Sequence, residues 1–68
     1  MTAIERLKAY KEREVLTYDW LMENLNSVPN KAHLPYHTIY RWLKTNRIRP
    51  VYETDLKERL DYLEQKTV

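Results

Sequence analysis

Between residues 25 and 52 the chain carries Lys31, Arg41, Lys44, Arg47 and Arg49 and no carboxylate, a net of +5. His33, His37, Tyr36, Tyr40 and Trp42 lie in the same stretch. Guanidinium, ammonium, imidazole and phenol groups can bind phosphates and base edges, so the pattern points to a surface that faces a polyanion. Charge alone weighs that reading equally with a merely solvated basic face. The flanks have the opposite sign: residues 1–24 sum to −1 and residues 53–68 to −2. The overall charge of +2 on 68 residues therefore conceals a strongly polarised chain.

Other chemistries find little support. There is no Cys, hence no disulfide framework, thiolate metal site or thiol nucleophile, and a reducing cytoplasmic setting is compatible. No Gly is present, which excludes Gly-rich phosphate loops and leaves any left-handed turn to another residue. His33 and His37 are four apart, but Pro35 between them puts His33 ahead of the helix, and no third ligand is apparent, so no metal or other cofactor is expected. No Ser-His-acid arrangement can be made out. The pairs Glu53/Lys57 and Asp55/Arg59 read as ordinary surface pairs along a helix. The expectation is a protein that is not an enzyme and has no small-molecule substrate. The longest strictly apolar run, Trp20-Leu21-Met22, excludes a membrane span within this sequence.

Placing the basic residues requires elements, and helical spacing supplies four. Ile4, Leu7 and Tyr10 predict an amphipathic helix from about Ala3 to Glu14. Thr17 precedes Tyr18-Asp19-Trp20-Leu21 as an N-cap, and Leu21 and Leu25 mark a short second helix ending near residues 24–26. Pro35 starts a third helix, whose inner face is Ile39, Trp42 and Leu43, while His37, Arg41 and Lys44 share another face at i, i+4, i+7. Thr45-Asn46 ends it, and Pro50 blocks continuation, leaving residues 47–52 for a short extended piece. A fourth helix is expected from about Thr54, with Leu56, Leu60 and Leu63 on one stripe. The predicted class is all-α: one domain over residues 1–68, four helices, and a long loop between the second and third.

The run from Leu7 to Leu21 (LKAYKEREVLTYDWL), followed by Leu34-Pro35-Tyr36-His37-Thr38-Ile39-Tyr40-Arg41-Trp42-Leu43 and then by Pro50, Leu56, Leu60 and Leu63, resembles the lambda-repressor/Cro-like helix-turn-helix family. The likeness extends over roughly residues 4–63. It implies a helix-turn-helix domain whose third helix enters the DNA major groove. Two features depart from the family pattern. Asn26 stands where the family's turn usually has Gly, with residues 27–33 added after it, and Met22 replaces a small residue at the contact between the second and third helices. Over a shorter span, Thr38–Lys44, Arg47–Val51 and Asp55-Leu56 are similar to small excisionase-like proteins, which would make the chain an architectural DNA-bending protein. A third possibility is a protein-binding module, such as an antirepressor, on the same scaffold.

In the leading reading, a small transcriptional regulator of a phage or mobile element, Tyr36, His37, Arg41 and Lys44 face the bases of double-stranded DNA. Arg41 is the strongest candidate, since a guanidinium that bonds guanine O6 and N7 together discriminates by about 1–3 kcal/mol. Thr17, Tyr18, Lys31, Arg47 and Arg49 are expected at the phosphates. Tyr40 is read either as packing or as a further backbone contact, Trp20 as packing ahead of ligand contact. A module this small reads few base pairs, so a homodimer on DNA is expected. Tyr52, Leu56, Leu60 and Leu63 are its expected self-association surface.

Overall fold

Thr2 opens the first helix. Its hydroxyl accepts from the Glu5 backbone N–H and its own N–H donates to the Glu5 carboxylate, both at 3.1 Å, so two otherwise orphaned donors are satisfied at once. In the computed structural model, which describes residues 2–66, α1 runs Ala3–Arg13, α2 Tyr18–Asn26, α3 Tyr36–Thr45 and α4 Pro50–Lys66. The protein is all-α, with no strand among the described residues. Ala3, Ile4, Leu7 and Tyr10 form the buried stripe of α1, as their spacing requires.

α1 ends in a turn in which the Val15 N–H bonds the Glu12 carbonyl and the Leu16 N–H bonds the Lys11 carbonyl. That turn needs a left-handed residue, and Val15 supplies it at φ 52° although its β-branched side chain disfavours the conformation. Val15 is also the most exposed of the large apolar residues. Asn30 (φ 63°) and Asn46 (φ 59°) take the other two left-handed positions. Asn26, expected to stand in for a turn glycine, is instead the last residue of α2 and works through its side chain.

Thr17 caps α2 by accepting from the Trp20 N–H at 3.3 Å, and Leu21 and Leu25 are fully buried. The following loop, residues 27–35, drops Val28 and Leu34 into the core. Asn26 closes the loop: its side chain donates to the Leu34 carbonyl at 3.0 Å and accepts from the Leu34 N–H at 2.7 Å. From α4, the Arg59 guanidinium, 1% exposed, donates to the carbonyls of Leu25 (2.8 Å) and Ala32 and to the Asp55 carboxylate (2.9 Å). A buried guanidinium is tolerable because these acceptors replace its water. Asp55/Arg59 is therefore no surface pair but the internal clamp on the long loop.

The two helix-starting prolines exchange the roles the sequence suggests. Pro35 is the N-cap of α3 rather than its first helical residue, and it lends no side-chain hydrogen bond. Pro50 is the first residue of α4, where its missing N–H costs nothing, and the Arg49 carbonyl receives the N–H groups of Tyr52 and Glu53. α4 therefore begins four residues ahead of Thr54, and the proposed extended piece shrinks to residues 47–49. α1 packs chiefly on α4 and also on α3, while α2 packs on α3 and α4. Ile39, Trp42 and Leu43 of α3 meet Leu56, Leu60 and Leu63 of α4 in a single core cluster.

Candidate nucleic-acid interface

Burial of Ile39, Trp42 and Leu43 fixes the rotation of α3, since side chains repeat every 3.6 residues. The opposite side of the cylinder then carries His37, Arg41 and Lys44, all exposed. Tyr36 and Tyr40 flank this ridge toward α2, and Thr38 and Thr45 flank it toward the start of α4. Three of the four expected base-facing residues, His37, Arg41 and Lys44, thus share one accessible helix face, with Tyr36 at its edge toward α2.

On the α2 side three tyrosine rings meet. Tyr18 stands edge-on to Tyr36 (6.3 Å between centroids, 76°) and to Tyr40 (5.3 Å, 66°), while Tyr36 and Tyr40 lie nearly parallel at 6.2 Å and 15°. Edge-to-face contacts of this kind hold aromatic side chains at a surface without burying their hydroxyls. Lys11 sits over the Tyr18 ring at 4.8 Å, and Lys44 lies over the Tyr40 ring and donates to its hydroxyl at 3.3 Å. Tyr40 therefore packs on neighbouring rings, as one of its two readings has it, and stays accessible. Trp20 is not packed: at 61% exposed it lies on the surface of α2 rather than in the core. Its position next to the buried Leu21 carries that signal, since Leu21 and Leu25 already define the inward side of α2. Lys11 escaped sequence reasoning, because nothing in the spacing joins the end of α1 to the start of α2.

On the other flank an open cavity of about 680 Å³ separates the C-terminal half of α3 from the first turn of α4. Arg41, Arg47 and Arg49 line it together with Trp42 and Tyr52, whose rings are 5.9 Å apart and tilted by 49°. Left-handed Asn46, held to α1 by a bond from Lys8, turns the chain back at the end of α3. Ile48, partly buried against the core, fixes the linker that brings Arg47 and Arg49 beside Arg41.

On the remaining face the arginines of α1 are ion-paired with α4. Arg6 bonds Asp61 at 2.7 Å and Glu64 at 3.3 Å, and Arg13 lies 3.8 Å from Glu64. Lys57 pairs with Glu53 as its spacing predicts. Hydrogen bonding to Asp61 raises the Arg6 pKa above its ordinary value. Lys31, expected at a phosphate, is instead held 3.2 Å from Glu58 and 3.3 Å from Asp55, and the bond to Glu58 raises its pKa. The long loop carries Lys31 to the acidic side of α4, which the linear charge pattern does not reveal. By contrast Arg41, Lys44, Arg47 and Arg49 make no ion pair among the described residues.

The expected self-association surface requires a correction. Leu56 and Leu60 are fully buried and Leu63 is 6% exposed, all within the chain's own core; only Tyr52 remains accessible, at 40%. The fourth-helix stripe is what a fold this small needs to close its own interior. Two further observations bound the possibilities: no group of three or more potential metal ligands occurs among the described residues, and no helix there is long and apolar enough to cross a membrane. No protein-family model, curated protein or solved structure matches the chain.

Proposed function

We propose that the protein is a small sequence-specific binder of double-stranded DNA that acts as a transcriptional regulator, with α3 in the major groove. The observation that supports this reading best is the partition of the arginines: Arg41, Arg47 and Arg49 around α3 lack acidic partners among the described residues, whereas Arg6, Arg13 and Arg59 are ion-paired within the fold. A ten-residue helix is about 15 Å long, enough to lie in a groove about 12 Å wide with His37, Arg41 and Lys44 toward the bases. Arg41 reads guanine; Tyr36 and His37 at the helix start reach adjoining bases or phosphates. Thr17, Tyr18 and Tyr40 approach one strand's backbone, Arg47 and Arg49 the other's. The protein works in the cytoplasm, on the nucleoid when bound, and pairs as a homodimer on two half-sites through side chains other than the buried leucines.

The decisive measurement is DNA affinity against salt for the wild type, Arg41→Ala and Arg49→Ala, using genomic fragments from the source and an unrelated duplex. Affinity falls steeply with salt, Arg41→Ala relaxes sequence preference, and Arg49→Ala weakens all sequences alike while lowering the salt slope by about 1. Absence of binding to every fragment at low salt would overturn the proposal. That outcome favours a protein-binding module, for which the exposed Trp20 and the tyrosine cluster offer the aromatic surface.

A further inference from the structure

The six arginines divide evenly. Arg6, Arg13 and Arg59 are ion-paired, and the three without ion pairs among the described residues, Arg41, Arg47 and Arg49, line one cavity. No carboxylate lines that cavity. We propose that this concavity is a phosphate-binding site in its own right, seating one phosphate monoester or diester chiefly through Arg47 and Arg49, at the edge of the α3 ridge to which Arg41 belongs.

Three physical features carry the assignment. Guanidinium groups bind phosphate through two parallel N–H bonds, and several converging on one hollow act on the same anion. Three cations lining one hollow with no acid in its lining repel one another, a cost that an anion in the hollow relieves. The linker is also anchored, by Ile48 against the core on one side and by Pro50 as the first residue of α4 on the other. The hollow is therefore presented by a shaped backbone rather than by long side chains on a flat surface. Its aromatic wall of Trp42 and Tyr52 limits access of water on one side and suits a phosphate carried on a planar ring as well as a bare one.

The phosphate has two possible sources, the DNA backbone and a free phosphorylated small molecule, and the inference does not depend on the DNA reading being right. The test is a titration of isotope-labelled full-length protein with inorganic pyrophosphate, followed by the Trp42 indole N–H and the arginine Nε–H signals. Trp20, exposed on α2 and not among the residues lining the cavity, is the internal reference. Saturable shifts are expected at Trp42, Arg47 and Arg49, with Trp20 and His37 unmoved. Arg47→Gln and Arg49→Gln should each weaken binding about tenfold, as loss of a charged hydrogen bond implies. Lys57→Gln, on the ion-paired face, should leave it unchanged. Shifts spread evenly over all exposed basic residues, or the same affinity in the arginine variants, would overturn the site.

A second arm uses an unrelated short duplex. Competition between duplex and pyrophosphate assigns the site to backbone phosphate. Pyrophosphate binding at Arg47 and Arg49 with no duplex binding at all assigns it to a free ligand, and in that case the DNA reading fails while this one stands.

Discussion

Arg59 and Arg49 are ten positions apart and chemically identical, yet the fold treats them in opposite ways. Arg59 is sealed between α2, the long loop and α4, with its donors distributed over two carbonyls and a carboxylate. Arg49 stands at the cavity rim, lending its backbone carbonyl to start α4 while its side chain has no acidic partner among the described residues. One arginine is a structural part; the other is available to a ligand. The same division runs through the molecule. Basic residues facing α4's carboxylates are consumed by the fold, and those around α3 are left for something outside it.

Stability measurements can break this comparison. Arg59→Ala should cost about 3–5 kcal/mol in urea unfolding, because the buried Leu25 carbonyl, the Ala32 carbonyl and the Asp55 carboxylate lose their donor. Arg59→Met, which keeps much of the stem, should recover part of the packing but not the clamp. If Arg59→Ala proved neutral, the loop would not depend on the guanidinium. A smaller and opposite effect is expected at Val15: replacement by Asn, which tolerates the left-handed region, should stabilise by about 1 kcal/mol. Arg47→Ala and Arg49→Ala should change stability by less than about 0.5 kcal/mol while lowering DNA affinity. A large loss of stability in either would place it with Arg59.

The smallest effects concern pH. Lys31's pKa is raised chiefly by its hydrogen bond to Glu58, with Asp55 adding to it. Its contribution is fully present below the ordinary lysine pKa of about 10.4 and lost as pH rises through the higher folded value. The stability difference between wild type and Lys31→Met should therefore shrink as pH rises above the ordinary lysine pKa and through the higher folded value. Glu5 runs the other way. Backbone and side-chain hydrogen bonds to Thr2 hold its carboxyl below the usual range, so the capping box contributes above that range and is lost as pH falls through the folded value.

Much of the architecture was legible in the residues. Ile4, Leu7 and Tyr10, Leu21 and Leu25, Ile39, Trp42 and Leu43, and Leu56, Leu60 and Leu63 announce four helices and their buried faces, because a 3.6-residue period is a local property. The outward set His37, Arg41 and Lys44 follows from the same period. Helix starts were less legible. Pro35 and Pro50 each fit a position just before or just inside a helix, and only the surrounding hydrogen bonds distinguish cap from first residue. The ion pairs of Lys31 and the burial of Arg59 are not legible for a different reason: their partners lie across the fold, on a helix and a loop whose approach no spacing rule encodes.

What the sequence determined by itself is the set of helices and the polarity of charge, since periodicity, capping and composition act within a few residues. Only the tertiary structure decided which charges remain available. Whether an arginine is neutralised depends on carboxylates brought near by packing, and the same packing that buried Leu56, Leu60 and Leu63 removed them as a dimer surface. Folding α4's acids onto α1 and the long loop left the basic excess of the central segment concentrated around α3 and the cavity beside it.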